Sequence, residues 1–337
     1  MKRNLILAIE TSCDETAAAV IENGQRIRSN IVSSQITVHQ KFGGVVPEIA
    51  SRHHLENLPW VVDQALEQAE VSFAELDAVA VTYGPGLVGA LLVGVAGAKA
   101  MAAAQGIPLI GVNHIEGHIY ANFLAHPALG FPLLCLLVSG GHTHLVALEG
   151  HGKYRVLGRT RDDAAGEAFD KVARAMGLGY PGGPKIQAAA ANGEGAGIEL
   201  PRAWLEPGSL DFSFSGLKSA ALNYLNRAAQ KGEEVNKSDL AAGFQQAVVD
   251  VLVGKTLAAA KQSGAGTVLL AGGVAANQAL RRELGEACRQ EGLDLYYPPV
   301  ELCTDNAAMI GCAAYYKFLA GEFAGPDLNA VPGMSLA

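Results

Sequence analysis

The chain has 337 residues, half of them hydrophobic and only 17% charged, which excludes an intrinsically disordered protein and suits a compact globular one with room for two domains. Its formal net charge of −8 argues against binding nucleic acid through overall charge, because phosphate contacts need local positive charge. Five scattered cysteines without a C-x-x-C pair predict reduced thiols and a cytoplasmic protein rather than a disulfide framework.

Neither of the two most apolar stretches predicts a membrane segment. The run in "MKRNLILAIETSCDE" stops at Glu10, which makes it too short for the hydrophobic region of a signal peptide. The tract "YGPGLVGALLVGVAGA" ends at Lys99 and is rich in glycine, so we expect a buried helix there. We therefore expect a protein without membrane association.

Strands and helices alternate through the first third of the chain, as in an α/β fold. The stretch "NLILAIETS" predicts a strand, and "AAAVIE" predicts its hairpin partner across a short polar turn. The amphipathic helix "ENLPWVVDQALEQA" is followed by the buried strand "LDAVAVTYGPG", a Gly/Ala-rich helix over residues 87–104 and the strand "IPLIGVNH". That last strand places His114 at its end.

The same opening then recurs in "FPLLCLLVSGGHTHLVALEG", again a strand, a polar Gly-containing turn and a strand. A long helix, "SDLAAGFQQAVVDVLVGKTLAAAKQSG", has Ser238 as its expected N-cap. The strand "TVLLAGG", the helix "AANQALRRELGEACRQEG" and a final helix beginning at "DNAAM" follow. The repeat predicts two domains of like topology: residues 1–113, completed by a C-terminal helix over 306–337, and residues 114–305.

The stretch "GVNHIEGHIYAN" carries two histidines four residues apart. On a helix, His114 and His118 project about 40° apart, where they can share a metal ion. A zinc protease of the H-E-x-x-H type has its catalytic Glu directly after the first His, where this chain has Ile115. Glu116, at roughly 100° per residue, points to the opposite side of the helix. The pair alone therefore indicates either a metal site or two structural histidines, without the general base of a protease.

Two turns can hold phosphate oxygens, because "ETSCDET" and "VSGGHTH" present backbone N–H groups and hydroxyls. Either one alone is also typical of an ordinary β-turn. Together with "LLAGGVAAN", a strand ending in Gly-Gly at a helix N-terminus, they favour a nucleotide-binding protein. In "CTDNAAM", Asp305 is either simply the N-cap of the final helix or the carboxylate that completes a metal site with His114 and His118.

One basic stretch, "HGKYRVLGRTR", interrupts this acidic sequence. If it forms a strand, its odd-numbered cations project to one face and make a positive stripe that can bind part of a polyanion. The alternative is a solvated strand face balanced by Asp162 and Asp163. The cations are Lys153, Arg155, Arg159 and Arg161.

Ten motifs occur in order almost from end to end of the chain: "IETSCDET", "GGVVPEIASRHH", "GPGLVGALLVG", "NHIEGH", "LLVSGGHT", "DDAAGEAFDK", "YPGGP", "DFSFSGLK", "AGGVAAN" and "CTDNAAM". Together they resemble the TsaD (Gcp, YgjD) family of tRNA N6-adenosine threonylcarbamoyltransferases. The resemblance implies the α/β fold of the acetate and sugar kinase, heat-shock chaperone and actin (ASKHA) superfamily, with two RNase H-like domains around a nucleotide cleft. It also implies transfer of the threonylcarbamoyl group from threonylcarbamoyl-AMP to N6 of the adenosine beside the anticodon, in tRNAs that read codons starting with A.

The resemblance further implies roles for particular residues. One divalent metal ion, iron(II) first and zinc(II) as the alternative, would be bound by His114, His118 and Asp305. Asp14 and Glu15 would be the candidate catalytic carboxylates. The substrate-binding residues would be Leu137, Val138, Ser139, Gly140, Gly141, Asp170, Gly183 and Asn277.

One position departs from the family pattern. Many relatives read "GGPxID" with an Asp that contacts the ligand, whereas this chain reads "GGPKIQ" and has Gln187 there. Gln can still contact a substrate hydroxyl through a hydrogen bond, but it cannot carry charge or act as a base. We therefore rest no catalytic step on Gln187.

The mechanism expected from both lines of reasoning is acyl transfer. The metal would polarise the donor carbonyl, the N–H groups of "SGG" would stabilise the departing phosphate, and Asp14 or Glu15 would accept the proton of adenine N6.

The implied partners are a TsaB-like paralogue and a TsaE-like ATPase. The alternatives are a metalloprotease, which the position of Glu116 disfavours, and a non-catalytic ATP-binding scaffold, which the intact metal triad disfavours. We expect only structural roles for His142, His144 and the pair His53–His54.

Overall fold

The computed structural model describes residues 3–195 and 197–336. The chain divides into two compact units, one of Met1–Leu129 with Pro298–Ala337 and one of Gly130–Tyr297. The boundaries expected at 113/114 and 305/306 differ from this division. The helix that begins at His114 is buried on every side from His114 to Leu124 and packs against the final helix of the chain, so it lies in the core of the first unit.

In chain order, the first unit begins with β1 (Leu5–Glu10), β2 (Glu15–Glu22), β3 (Arg26–Ser34), α1 (Ile36–His39), α2 (Pro47–Ala69), β4 (Ala78–Gly84), α3 (Val88–Gln105), β5 (Leu109–Asn113) and α4 (His114–Ala125). The second unit contains β6 (Leu133–Val138), β7 (Thr143–Gly150), β8 (Lys153–Arg159), α5 (Ala165–Ala175), α6 (Gly182–Ala190), α7 (Ser215–Lys231), α8 (Lys237–Ser263), β9 (Thr267–Ala271), α9 (Gln278–Gln290) and β10 (Asp294–Tyr296). The chain then returns to the first unit for α10 (Val300–Cys303) and α11 (Ala307–Ala320).

The first unit is built on a five-stranded sheet in the order β3-β2-β1-β4-β5. The first three strands in the sequence are antiparallel, and β4 and β5 run parallel to β1. Every residue of β1 is buried, because helices cover both faces of the sheet. Leu7 and Ile9 face a cluster with α2 and α3, whereas Ala8 lies against Gly311 of α11, as the alternation of side chains along a strand requires.

The second unit repeats this arrangement with a sheet in the order β10-β9-β6-β7-β8. Strands β6, β7 and β8 are antiparallel, and β9 and β10 are parallel to β6 and to each other. Each unit therefore has three antiparallel strands followed by two parallel ones in the same order. This confirms the like topology that the repeated strand-turn-strand opening predicts.

Two predicted helix N-caps are wrong by one or two residues. The N-cap of α8 is Asn236 rather than Ser238, and its side-chain oxygen accepts hydrogen bonds from the backbone N–H groups of Ser238 and Asp239. The N-cap of α11 is Asn306 rather than Asp305, and its side chain accepts from the N–H of Met309 at 3.0 Å. In both cases an asparagine within two residues of the predicted one has the required extended backbone.

The basic strand β8 does not present its charges on one face, so that prediction is wrong. Val156 pairs with Val146, but Gly158 pairs with Leu145, which leaves Leu157 as a bulge. A bulge reverses the alternation of side chains beyond it. Arg159 therefore pairs with His144 on the face opposite Arg155, and Arg161 lies beyond the strand end.

One described helix, α3, has the length and the apolar composition that a membrane-spanning helix needs. The core helix of a soluble protein meets the same criteria. In the first unit α3 packs against α2 and β4, and its residues Leu91, Val95 and Ala98 are buried there.

Replacing two helical glycines with alanine should change stability in opposite directions, because Gly311 of α11 packs closely on the sheet and Gly285 of α9 does not. A β-carbon at Gly311 would overlap Cγ1 of the buried Ile21, so Gly311→Ala should lower the free energy of unfolding by ~1–3 kcal/mol. A β-carbon at Gly285 in α9 would have no neighbour closer than 3.8 Å, so Gly285→Ala should raise it by ~0.5–1 kcal/mol. Calorimetric unfolding of both variants tests this, and a stabilised Gly311→Ala would contradict the packing described.

Candidate functional site

Three side chains with metal-binding atoms meet inside the first unit. His114 and His118 lie on α4, and Asp305 lies just before α11. Nε2 of His118 is 3.2 Å from Oδ1 of Asp305, and Nε2 of His114 is 3.6 Å from the same oxygen. Ligands at ~2.1 Å from a tetrahedral ion stand about 3.4 Å apart. The spacing therefore fits a single ion.

The surroundings of His118 fit an ion as well. Its side chain is buried, and within the part of the chain that the structure describes neither of its ring nitrogens has a hydrogen-bond partner. Its 3.2 Å approach to Asp305 lacks the geometry of a hydrogen bond. Buried polar atoms are nearly always satisfied, so an imidazole with two unused nitrogens beside a carboxylate is suited to metal coordination. The group of His114, His118 and Asp305 can hold a metal ion.

The junction of β5 and α4 explains why the two histidines lie here. Asn113 ends the strand and caps the helix, and its Oδ1 accepts from the N–H groups of Ile115 and Glu116. Its Nδ2 donates to the backbone oxygen of Ser335 at 2.9 Å. The helix thus begins directly at the carboxyl end of a parallel strand, the edge where α/β folds carry their ligand-binding residues.

Glu10, at the end of β1, contacts His114 on the side of the ring away from Asp305. Its Oε2 is 3.2 Å from Nδ1 of His114, and it also accepts from Oγ1 of Thr82 at 2.5 Å, while Oε1 accepts from the N–H of Ser12 at 2.5 Å. Burial alone would lower the pKa of His114, but the carboxylates of Glu10 and Asp305 raise it to about 9. Burial acts to raise the pKa of Glu10, and His114 outweighs it and holds that pKa below its ordinary value. Sequence reasoning missed Glu10, although a charged residue ending a buried strand was a signal.

The two candidate catalytic carboxylates lie where β1 turns into β2. Asp14 is buried, and Glu15 accepts a hydrogen bond from Oγ of Ser34 at 3.0 Å. Burial, reinforced by the negative charges of Asp305 and Asp14, raises the pKa of Glu15 to about 10. At neutral pH in the metal-free protein, the Glu15 carboxyl therefore keeps its proton. Because the charges of Asp14 and Asp305 both act on the pKa of Glu15, the two expected catalytic carboxylates lie near the metal-binding group.

His54 on α2 fixes this turn. Its Nε2 is 2.9 Å from the backbone oxygen of Cys13, and its Nδ1 is 2.8 Å from Oγ1 of Thr16. A carbonyl oxygen can only accept, so Nε2 carries the proton and Nδ1 accepts from the threonine hydroxyl. Burial lowers the pKa of His54, which favours this neutral form. His54 therefore has the structural role expected for it, because it holds the backbone next to Asp14 in place.

Glu116 lies away from the metal-binding group, as its helical position predicts. Its Oε2 is 3.5 Å from Nζ of Lys317 on α11, and its side chain is buried. Burial acts to lower the pKa of Lys317, but Glu116 and Glu322 outweigh it and raise that pKa. Glu116 is therefore engaged with a lysine rather than placed where a protease would need its general base.

The turn between β6 and β7 carries the first five expected substrate-binding residues. Leu137 and Val138 are fully buried strand residues, so only the turn itself is accessible. Ser139 closes the turn, since its N–H donates to the oxygen of His142 at 2.8 Å and its Oγ accepts from the His142 N–H. Among the described residues, the N–H groups of Gly140 and Gly141 have no hydrogen-bond acceptor, and neither glycine has an atom within 4 Å of where a β-carbon would lie. Two unused N–H groups on an open turn suit an oxyanion.

The end of β9 lies next to this turn and requires a glycine. Gly272 has a φ of 87°, in the left-handed region, and a β-carbon there would overlap the backbone oxygen of Val138. A side chain at this position is excluded on both counts. The carboxyl ends of the neighbouring parallel strands β6 and β9 therefore approach one another closely.

The remaining expected substrate contacts lie within α5 and α6 and at the start of α9. Oδ1 of Asp170 accepts from the N–H of Gly182 at 2.6 Å, and Gly183 next to it has no neighbour within 4 Å of a β-carbon. Asn277 is the N-cap of α9 and also donates to Oε1 of Gln245 at 2.9 Å. Oε1 of Gln187 accepts from the N–H of Gln278 at 2.7 Å. Gln187 thus satisfies the first turn of α9, a role that explains how Gln is accommodated at this position.

Comparison with known proteins gives consistent matches over nearly the whole chain. The family model described as TsaD: tRNA N6-adenosine threonylcarbamoyltransferase matches residues 26–312. The tRNA N6-adenosine threonylcarbamoyltransferase of Desulfitobacterium hafniense is 65% identical over 332 residues, which cover 98% of this chain and 97% of that protein. The protein of the same name from Moorella thermoacetica is 64% identical over 331 residues, with 98% and 97% covered.

Solved structures with little sequence identity show the fold alone. HypF, solved in a phosphate- and nucleotide-bound form, is similar with a TM-score of 0.63 at 15% identity, over 95% of this chain and 56% of that one. Component A of (R)-2-hydroxyglutaryl-CoA dehydratase from Acidaminococcus fermentans is similar with a TM-score of 0.54 at 15% identity, over 93% and 98%. The likeness supports the expected α/β fold, with one mixed sheet in each unit.

The ligand group predicts a specific loss in His118→Ala. Two ligands remain, so the affinity for Zn²⁺ should fall by about 100-fold or more, and the rise in Tm that Zn²⁺ gives the wild type should disappear. Competition with a chelator of known Zn²⁺ affinity measures the first effect, and thermal unfolding with and without Zn²⁺ measures the second.

His53→Ala is the matched control, because it removes a half-buried imidazole of the same unit that lies 3.6 Å from Glu56. Its Zn²⁺ affinity should equal that of the wild type. Equal Zn²⁺ affinity for all three proteins would show that His118 is not a ligand.

Proposed function

The chain belongs to the TsaD family of tRNA N6-adenosine threonylcarbamoyltransferases, and we propose that it takes the threonylcarbamoyl group from threonylcarbamoyl-AMP. The acceptor is N6 of an adenosine in tRNA, and we place it beside the anticodon in tRNAs that read codons starting with A. The observation that carries the proposal is the metal-binding group of His114, His118 and Asp305, in a chain matched along almost its whole length.

The metal that we propose is iron(II), with zinc(II) as the alternative. Two imidazoles and one carboxylate form a ligand set that holds either ion and leaves coordination positions open. An ion bound there supplies Lewis acidity, which makes the carbonyl carbon of the donor more electrophilic. The chain contributes three ligand atoms: Oδ1 of Asp305, Nε2 of His118 at 3.2 Å from it and Nε2 of His114 at 3.6 Å from it.

The turn at Ser139 is proposed to bind the phosphate of the donor. Support comes from the unused N–H groups of Gly140 and Gly141, which point to no acceptor among the described residues. In the reaction the bond between adenine N6 and the carbamoyl carbon forms, and the bond from that carbon to the phosphate oxygen breaks. AMP leaves with the electron pair, and N–H donors stabilise the charge that grows on its phosphate.

Adenine N6 is a weak nucleophile that must lose a proton as it attacks, so a proton acceptor is required. We assign the accepting role to Asp14, since burial and the charges of Asp305 and Asp14 raise the pKa of Glu15 in the metal-free protein and make its carboxyl the weaker candidate. His54 supports this assignment, since it holds the backbone oxygen of Cys13 directly before Asp14.

The assignment predicts that Asp14→Asn lowers kcat by ~10²- to 10⁴-fold with Zn²⁺ affinity unchanged. The measurement is incorporation of labelled threonine from threonylcarbamoyl-AMP into tRNA by the purified protein with its partners. Glu116→Gln is the control and should stay within a few-fold of the wild type, because Glu116 contacts Lys317 and not the metal-binding group. Casein digested in a parallel incubation, with no threonine transferred, would instead support a protease.

We propose that Arg159 contacts the tRNA backbone. Its side chain is exposed and has no ion pair among the described residues, whereas Arg161 is held by Glu206 at 2.8 Å and by Asp211 at 2.9 Å. Arg159 also lines a cavity of ≈ 580 Å³ together with Gly141, His142, His144, Thr160, Arg161 and Asp211. A guanidinium without an intramolecular partner costs less to transfer to a phosphate than one already paired.

Arg159→Ala should therefore weaken tRNA binding more than Arg161→Ala and should reduce the slope of log affinity against log salt by ~1. Arg227→Ala, which removes an exposed arginine of α7 in the same unit, is the matched control. The measurement is tRNA binding at two or more salt concentrations, with and without the partner proteins. Equal losses for all three variants would contradict a specific role for Arg159.

A TsaB-like paralogue is the partner that we propose for the first unit, with a TsaE-like ATPase acting on the pair. Four large apolar side chains are exposed on α2 and α3, two helices that pack against each other. Exposed apolar side chains on neighbouring elements are typical of a protein-protein interface. The four side chains are Leu55, Trp60, Val88 and Leu92.

A tRNA substrate also supports the cytoplasmic location proposed for the enzyme.

A further inference from the structure

We propose that Glu10 is a positioning residue that fixes which nitrogen of His114 is presented to the metal. The inference rests on the proposed metal site and names a residue outside the ligand group. Nδ1 of His114 faces Oε2 of Glu10 at 3.2 Å, while Nε2 faces Oδ1 of Asp305 at 3.6 Å. A neutral imidazole has one protonated and one unprotonated nitrogen, and only the unprotonated one can bind a metal.

Glu10 can set this choice because an ionised carboxylate only accepts hydrogen bonds. A proton on Nδ1 is therefore favoured, and the lone pair is left on Nε2. Oγ of Ser12 is also 3.1 Å from Nδ1, but a hydroxyl can donate as well as accept and so does not select the tautomer. The selection comes from Glu10.

The carboxylate of Glu10 is itself held in place. The N–H of Ser12 donates to Oε1 and the hydroxyl of Thr82 donates to Oε2, both at 2.5 Å. The side chain is 0% exposed, so water does not compete for its oxygens. Rotation of the carboxylate would break two hydrogen bonds in the core, and the orientation of His114 is fixed accordingly.

His118 has no such support. Neither of its ring nitrogens has a hydrogen-bond partner among the described residues, and its ring packs edge-on against His114 with 4.7 Å between centroids. His114 is therefore the ligand whose metal-binding nitrogen is selected by a neighbouring side chain. Loss of Glu10 should act on metal binding through His114 alone.

The substitution that isolates this role is Glu10→Gln. The N–H of Ser12 needs an acceptor, so the amide oxygen of Gln turns toward it and the amide NH₂ turns toward Thr82 and His114. An NH₂ group only donates, which makes Nδ1 of His114 an acceptor and leaves the proton on Nε2. The affinity for Zn²⁺ should then fall by ~10- to 100-fold.

The experiment compares metal-stripped wild type, Glu10→Gln and Glu116→Gln in competition titrations of Zn²⁺ against a chromophoric chelator. Glu116→Gln is the matched control, since it makes the same change at a buried glutamate two residues from His114 that pairs with Lys317. ¹⁵N imidazole spectra of the Zn²⁺-loaded proteins report the protonated nitrogen of His114. Thermal unfolding without metal separates a loss of stability from a loss of affinity.

We expect wild type and Glu116→Gln to bind Zn²⁺ equally, with Nδ1 of His114 protonated, and Glu10→Gln to bind ~10- to 100-fold more weakly without that signature. Glu10→Asp keeps a carboxylate on a shorter side chain and should recover part of the affinity. Wild-type affinity in Glu10→Gln, or a Zn²⁺-loaded wild type in which Nδ1 of His114 carries no proton, would overturn the role of Glu10 and leave the metal site intact. A wild type that binds no Zn²⁺ would overturn both.

Discussion

The site in the first unit depends on the contact between carboxylates and buried imidazoles. An ionised group inside a protein costs several kcal/mol unless hydrogen bonds and opposite charge compensate it. Glu10 is fully buried, and it is compensated by the N–H of Ser12, the hydroxyl of Thr82 and the imidazole of His114. These donors lie on different elements, so the elements must keep a fixed register for the site to exist.

The register of the parallel strands provides this arrangement. Ile9 pairs with Val81, and Thr82 pairs with Val112, so β1, β4 and β5 end at the same edge of the sheet. That edge holds Glu10, Thr82 and, through the cap residue Asn113, the start of α4. Polar side chains at the carboxyl ends of neighbouring parallel strands are the general location of ligand sites in such sheets. The chemistry of the unit therefore follows from its topology.

The two units use the same topology for different chemistry. In the first, the ends of the strands carry carboxylates and are followed by histidines, which suits a metal ion. In the second, the ends of β6 and β9 carry Ser139 and Gly272, and the turn offers backbone N–H groups instead of charged side chains. Imidazole and carboxylate ligands suit iron(II) or zinc(II), and backbone donors suit an oxyanion, so the two units offer different kinds of binding group.

Sequence patterns predicted the features that depend on local order in the chain. The repeated hairpin, the helix that carries both histidines and the direction of Glu116 follow from periodicity, and the structure confirms all three. Asp305 was recognised as a possible third ligand because its residue type matched the chemistry. These features need only neighbours within a few residues or a known ligand set.

The features that sequence patterns missed depend on contacts between distant residues or on small changes of register. Glu10 and His114 are 104 positions apart, and nothing in either local pattern shows that they meet. The bulge at Leu157 separates Arg159 from Arg155, because one extra residue reverses the strand faces. The caps at Asn236 and Asn306 were missed because another polar residue, one or two positions away, could also serve, and only the backbone conformation distinguishes them.

The proposed chemistry depends on one metal ion bound by His114, His118 and Asp305. Anomalous X-ray diffraction above and below the zinc edge, from crystals of the Zn²⁺-loaded protein, tests it most directly. We expect one anomalous peak at ~2.0–2.2 Å from Nε2 of both histidines and from a carboxylate oxygen of Asp305. Zinc found only at other residues, with no peak among these three, would contradict it.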